Sequence, residues 1–147
     1  MTAIILVAGV ARRLAPLTDA THKALLPVGG RPILARMLDA LAWAGVRRAA
    51  LVVGHCADQV RALAGERVGR MAIDYVVNPE YTRGSVLSLY AARQYLREPA
   101  LVMDADVLFP REFLRGCWPP LRRARSCSTA ASPTPARRSS STRAATA

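Results

Sequence analysis

The stretch Thr2-Ala3-Ile4-Ile5-Leu6-Val7-Ala8-Gly9-Val10-Ala11-Arg12-Arg13-Leu14 decides how this chain is read. Ile4, Ile5, Leu6 and Val7 form an apolar run without alternation, as expected of a strand covered on both faces of a parallel sheet. Immediately after it the composition changes. Gly9–Gly30 is rich in Pro, Gly, Thr and basic residues and is expected as a loop. Pro32 then suits a first helical position, Ile33, Leu34, Met37, Leu38 and Leu41 recur at helical spacing, and Gly45 closes that helix.

The same reading continues along the chain. Strands are expected over Thr2–Ala8, Arg48–Val53, Met71–Val77 and Ala100–Met103. Helices are expected over Asp58–Ala64 and Ser85–Leu96, with a further helical turn within Pro110–Arg115. Strands alternating with helices build right-handed βαβ units, so the fold class is α/β: a Rossmann-like three-layer α/β/α sandwich with a mostly parallel sheet. Ligands of such sheets bind at the carboxyl ends of the strands. Two polar clusters, Gly9–Lys23 and Asp104–Asp106, lie just past strand ends.

Composition sets the limits. With 147 residues and 52% hydrophobic content, one domain or part of one can pack a core. The start Met1-Thr2-Ala3-Ile4-Ile5 has no basic region of the signal-peptide kind, and no apolar run approaches the length of a membrane span. A cytoplasmic location is therefore expected. Three cysteines, Cys56, Cys117 and Cys127, without C-x-x-C spacing argue against a disulfide framework and a zinc site. The net charge of +11 is unevenly spread. Residues 1–112 carry 14 Arg and Lys against all 10 acids, and residues 113–147 carry seven arginines and no acid. The segment 116–147 has no helical or strand period and is expected to be a disordered basic tail, with out-of-frame translation as one origin of its composition. Lys23 is the one lysine in the chain, against 20 arginines.

On residue chemistry alone, two readings of the Gly9–Lys23 loop stand. Its backbone N–H groups can cradle phosphate oxygens, with Arg13 as a forked donor and Lys23 as a compact charge. It can equally be a solvated basic loop, since neither G-x-G-x-x-G nor a P-loop pattern is present. Asp104-Ala105-Asp106 is likewise either a hard-oxygen site for Mg²⁺ or a pair of solvated turn carboxylates. In Asn78-Pro79-Glu80-Tyr81-Thr82-Arg83-Gly84-Ser85, Ser85 is expected to cap the helix that follows. His55 and Cys56 read as structural or as contacts to a nucleotide base, His22 as a loop residue that modulates Lys23 at most, and Trp43 as core or interface.

Longer motifs favour one side of each pair. Ile4–Thr18, followed by His22-Lys23-Ala24-Leu25-Leu26-Pro27-Val28-Gly29-Gly30-Arg31-Pro32-Ile33-Leu34, resembles the signature of the nucleotidyltransferase family that includes NDP-sugar pyrophosphorylases and MobA-like NTP transferases. Two positions depart from it: Ala11 stands where the signature has a second glycine, and His22 where it has a proline. Val102–Val107 resembles the family's metal-binding strand. Asn78-Pro79-Glu80-Tyr81 and the Asp-Ala-Asp form look like those of choline-phosphate cytidylyltransferase-like members, although their Thr-Asn-Asn is absent here.

The resemblance implies a transferase that moves a nucleoside monophosphate onto a phosphorylated acceptor and releases pyrophosphate. The implied donor is a nucleoside triphosphate, with CTP favoured, and the implied acceptor a small phosphorylated or phosphonate alcohol. Synthesis of NDP-sugars from sugar 1-phosphates is an alternative. It further implies that Leu6, Ala8, Gly9, Val10, Ala11, Arg13, Lys23 and Ser85 line the nucleotide. Arg13 and Lys23 would act on the phosphates in catalysis. Asp106 would hold Mg²⁺, with Asp104 supporting it. It covers residues 2–115, the nucleotide half, so a truncated sheet is expected, with little turnover in the absence of an acceptor half. An inactive nucleotide-binding fragment is then a further alternative. Such a sheet exposes an edge that invites homo-oligomers. No specific nucleic acid or membrane partner is implied.

Overall fold

Apolar continuity puts the first strand at the centre of the sheet. The computed structural model describes residues 1–18 and 20–116. Its elements are β1 (Thr2–Val7), β2 (Pro27–Val28), β3 (Arg31–Pro32), α1 (Ile33–Trp43), β4 (Arg48–Val53), α2 (Ala57–Ala64), β5 (Arg67–Val68), β6 (Met71–Val77), α3 (Ser85–Ala91), β7 (Ala100–Asp104) and α4 (Phe113–Gly116). The main sheet runs β5-β6-β4-β1-β7. β1 pairs in parallel with β4 and β7, β4 in parallel with β6, and β5 antiparallel with β6. The long strands extend outward from β1 through β4 to β6, and the chain then returns to lay β7 on the other side of β1. The order reverses between β1 and β7, and a crevice for ligands opens at such a point.

The two faces of the sheet are covered unequally. Ala3, Ile5 and Val7 of β1 join Ala49, Leu51 and Val53 of β4 in a cluster with Leu34, Met37, Leu38 and Leu41 of α1 and Val60 of α2. The opposite face buries Ile4, Val52 and Ala92, with Leu6, Val76, Leu89 and Tyr95 packed around them. Val102 pairs with Ile4 and shares this thinner face, where it is 40% exposed. Among the described residues β7 is an outer strand. No helix among them is long and apolar enough to cross a membrane.

Local chemistry ends the elements where expected, with three differences. Gly45 has φ +85° and closes α1 by pairing its N–H with the Ala42 carbonyl, while the Val46 N–H reaches Leu41. The first difference is that the loop before α1 contains a hairpin. β2 and β3 pair across Gly29 and Gly30, both at positive φ, as a tight two-residue turn demands. Arg36 of α1 donates to the Val28 and Gly29 carbonyls and holds the hairpin down.

The second difference is the break in the helix expected over Ser85–Leu96. α3 stops at Ala91, and Arg93–Arg97 forms tighter 3₁₀ turns. Tertiary contacts override the helical propensity there. Ala92 is fully buried, and the Tyr95 hydroxyl donates to Asp74 of β6 at 3.0 Å. Pro99 then holds Glu98 in extended backbone. The third is the short strand β5, which had no sequence signal. The tail expected over 116–147 lies, from residue 117 on, outside the described residues.

One close approach locks the carboxyl end of β4. A Cβ on Gly54 would sit 2.7 Å from the Cβ and Cγ of Tyr81. Gly54→Ala is expected to lower stability by about 1–3 kcal/mol in urea unfolding. Adding Tyr81→Gly, which removes both of those atoms, should recover part of the loss. Unchanged stability of Gly54→Ala would show that Tyr81 is not held against the strand.

Candidate active site

The site is built where β1 and β7 release the chain. Ala8 is buried directly after β1, and its carbonyl accepts from the His55 N–H at 3.1 Å. The Leu6 carbonyl accepts from the Ala105 N–H at 3.2 Å. The neighbours of β1 thus fix the start of the loop from both sides. Gly9 has open space around it, where a Cβ would meet nothing within 4 Å. Ala11 has φ +50°, a left-handed conformation that costs a side-chain-bearing residue free energy and costs glycine little. This accounts physically for the glycine that the resembling signature has at this position. Buried Thr18 donates its hydroxyl to the Ala11 carbonyl at 3.1 Å and holds the turn.

His22 departs furthest from expectation. In place of a loop side chain, the structure shows a fully buried imidazole. Its Nδ1 accepts from the Ala24 N–H at 3.1 Å and caps the 3₁₀ turn Lys23–Leu25. The proton therefore belongs on Nε2, which has no hydrogen-bond partner among the described residues. Burial, then the charge of Lys23 and then His55 push the ring down to a pKa of about 4, against weaker upward pulls from the Gly9 carbonyl and Asp106. At neutral pH His22 is an uncharged support under Lys23.

From that turn the Lys23 ammonium reaches to Asp106, past the end of β7, Nζ to Oδ2 at 2.7 Å. The two residues are 83 positions apart in the chain. Asp104 ends β7, Ala105 is fully buried, and the aspartates on either side of it are exposed. The pairing thus joins the phosphate-loop and carboxylate candidates in one place. The remaining candidates are more dispersed. Arg13 is exposed in the short turn Arg12–Leu14 and makes no hydrogen bond or ion pair among the described residues. Val10 is half-buried on the same loop, and Leu6 lies within the sheet opposite Asp104. Ser85 is the first residue of α3 and is exposed. It does not cap the helix, because Gly84 at φ +120° takes the cap position and no side chain bonds there.

Asn78, which opens the Asn78–Tyr81 motif but had no role of its own in the sequence reading, is a supporting residue. It is buried at the end of β6, donates to the Ser88 hydroxyl at 2.9 Å, and accepts from the Glu80 N–H at 2.9 Å. It fixes the loop that carries Tyr81 toward Gly54. His55 pairs by its backbone with Ala8, and Cys56 enters α2 at φ +52°. Trp43 is 40% exposed, with the Arg111 guanidinium 4.8 Å from its ring centre.

Among the described residues, no three His, Cys, Asp or Glu side chains cluster to hold a metal by themselves. Two exposed carboxylates suit a hard divalent cation that takes its other ligands from phosphates and water. This donor set fits a metal that arrives with a nucleotide.

A mostly parallel α/β sheet whose loop lysine meets an aspartate past the end of β7, at the reversal of strand order, defines the class of this protein as a doubly wound α/β fold. The chain belongs to the MobA-like NTP transferase family, whose model matches residues 3–141. That family generally works with a divalent metal. The chain is 43% identical over 108 residues to the CMP-5'-(3-aminopropyl)phosphonate synthase of Streptomyces rubellomurinus, covering 73% of this chain and 17% of that protein. It is 38% identical over 114 residues to the 2-aminoethylphosphonate cytidylyltransferase of Lancefieldella rimae, covering 76% and 45%. The solved CTP:phosphocholine cytidylyltransferase of Streptococcus pneumoniae matches with a TM-score of 0.66 and 32% identity, over 75% of this chain and 47% of that one. The chain thus spans less than half the length of each of these relatives.

The loop backbone and the buried imidazole each give a test. Ala11→Gly is expected to leave stability unchanged or raise it by up to about 1 kcal/mol. Ala11→Val should lower it, because a β-branched residue is a genuine outlier at positive φ. The urea midpoints of the two variants decide between strain and its absence. For His22, the unfolded chain binds a proton below its ordinary pKa of 6.5, while the folded chain resists it down to about 4. Stability should therefore fall as pH drops through that window, with a slope of about one proton. His22→Asn, which keeps an acceptor and removes the titration, should flatten that slope in thermal melts. An identical slope would assign the acid sensitivity to other groups.

Proposed function

We propose that this chain is the nucleotide-binding part of a nucleotidyltransferase that moves CMP from CTP onto a small phosphorylated or phosphonate acceptor. The observation that carries the reading is the convergence of Lys23 and Asp106, 2.7 Å apart, at the reversal between β1 and β7. The relatives named above support cytidine as the base, and their names support a phosphonate or phosphocholine acceptor.

In this reading the loop N–H groups of Gly9, Val10 and Ala11 face the triphosphate, with the Leu6 and Ala8 backbone behind them. Arg13 and Lys23 hold the β- and γ-phosphates and stabilise the charge that develops there. Ser85 and the loop pinned by Asn78 lie on the side of the base. Asp106 holds Mg²⁺, and Asp104 supports it. Bound Mg²⁺ supplies charge neutralisation at the phosphates.

The acceptor brings its own nucleophile. One of its phosphate or phosphonate oxygens forms the new bond to the α-phosphorus, and the bond from that phosphorus to the bridging oxygen of the β-phosphate breaks. Pyrophosphate carries the electron pair away. No protein nucleophile is needed, so this chain contributes positioning and electrostatics.

A ligand at about 100 times its dissociation constant stabilises a folded chain by about 2.7 kcal/mol. CTP with Mg²⁺ is expected to raise the melting temperature more than ATP, GTP or UTP does, and Lys23→Ala should remove most of that gain. A shift with GTP alone would favour a sugar-nucleotide reading. No shift with any of the four would remove the nucleotide reading.

A further inference from the structure

We propose that β7 is a self-pairing edge, through which two copies of this chain join antiparallel with Val102 of each on the two-fold axis. This contact does not depend on the nucleotide reading. β7 pairs with β1 alone, so its second edge carries no strand among the described residues. The direction of its backbone groups follows from the register. The Ala105 N–H donates to the Leu6 carbonyl, and Leu6 stands opposite Asp104. Backbone groups alternate in direction along a strand, so Leu101 and Met103 also face β1. Ala100, Val102 and Asp104 therefore turn their N–H and C=O groups outward.

Proteins blunt such an edge with a proline, a lysine, a bulge or an inward charge. β7 carries none of these between Ala100 and Met103. Its centre is apolar on both faces. Leu101 is buried in the larger core with Met103 packed against it, while Val102 lies exposed on the thinner face. An outer strand of this kind is a template for another strand, and the strand it fits is its own copy. An axis through Val102 pairs all five residues of β7, Ala100 opposite the partner's Asp104 and Leu101 opposite the partner's Met103. The outward groups then fall in hydrogen-bonded pairs, each residue exchanging both of its bonds with the one opposite. Val102 meets the partner's Val102 on the thinner face, and Leu101 and Met103 extend the core across the axis. Charge selects this register. An axis at Met103 would set the two Asp104 carboxylates on neighbouring diagonal positions, and one at Leu101 would set Glu98 against the partner's Asp104. With the axis at Val102, the two Asp104 side chains stand at opposite ends of the ladder. Beyond it Glu98 faces the partner's Asp106, with exposed Arg97 and the Lys23 that already pairs with Asp106 beside them to offset the charge.

Two measurements on the 147-residue chain, made without nucleotide, test this pairing. Sedimentation equilibrium between about 10 µM and about 500 µM, the range in which small interfaces associate, should show a mass that rises with concentration toward twice that of one chain. Amide hydrogen exchange followed by nuclear magnetic resonance then locates the contact. Leu101, Met103 and Ala105 bond to β1 and should be protected at every concentration. The outward amides of Val102 and Asp104 should exchange several-fold more slowly at the high concentration than at the low one. Val102→Lys sets two ammonium groups face to face and should weaken association about tenfold or more. Val102→Pro removes an outward N–H, is tolerated on an edge strand, and should act in the same direction. Leu63→Lys on α2, exposed and away from β7, should leave association unchanged. Thermal melts check that the three variants fold. A parent chain that stays monomeric throughout overturns the proposal. So does a dimer in which the Val102 and Asp104 amides exchange equally fast at both concentrations, or one that both Val102 variants leave intact, because association then uses another surface.

Discussion

Everything in this structure hangs on β1 being buried on both faces and paired along both edges. Ile4, Ile5 and Val7 have no exposed surface, so the strand cannot turn over or slip by one residue without exposing a full face. Once it is fixed, the chain must emerge after Val7 at one end of the sheet. The two carbonyls beside that exit are then taken by Ala105 and His55, from opposite flanks. A loop that begins between two such clamps has little freedom in where it starts, and this lets a segment poor in regular structure carry a defined site.

The electrostatics follow from that placement. Burial makes His22 neutral, and a neutral imidazole can sit directly under Lys23 without competing for Asp106. A positively charged residue at the same position would repel the ammonium from below, and a negatively charged one would compete with Asp106 for it. The lysine turn is therefore supported by a group whose polarity is spent internally, on the Ala24 N–H. The open side of the crevice keeps the ionic groups, and the closed side keeps the hydrogen bonds.

Much of the fold was legible because continuous apolar runs and glycine stops are local signals. The strands Arg48–Val53 and Met71–Val77 and the helix ended by Gly45 stand where hydrophobic pattern and turn chemistry put them. The two-residue strand β5 and the break at Ala92 were not legible. The first is too short to carry a period, and the second depends on Tyr95 meeting Asp74 on a different strand. Lys23 stood out as the one lysine of the chain, and Asp104 and Asp106 as carboxylates at a strand end. That Lys23 and Asp106 touch is a property of sheet order, which no local pattern contains. His22 and Asn78 were missed for a related reason: a polar residue reads as exposed until the partner that satisfies it is known.

The position of β7 has a kinetic side. β1 is made first and finds β4 early, but its other edge stays open until almost the whole described chain has been synthesised. The β1–β7 pairing closes a long loop, and such contacts form late because chain entropy must be lost before they stabilise anything. Lys23 thus spends the early life of each molecule without its carboxylate. On the ribosome, the site is completed only when Asp106 clears the exit tunnel, so the ion pair and the last of the described strands form in the same event.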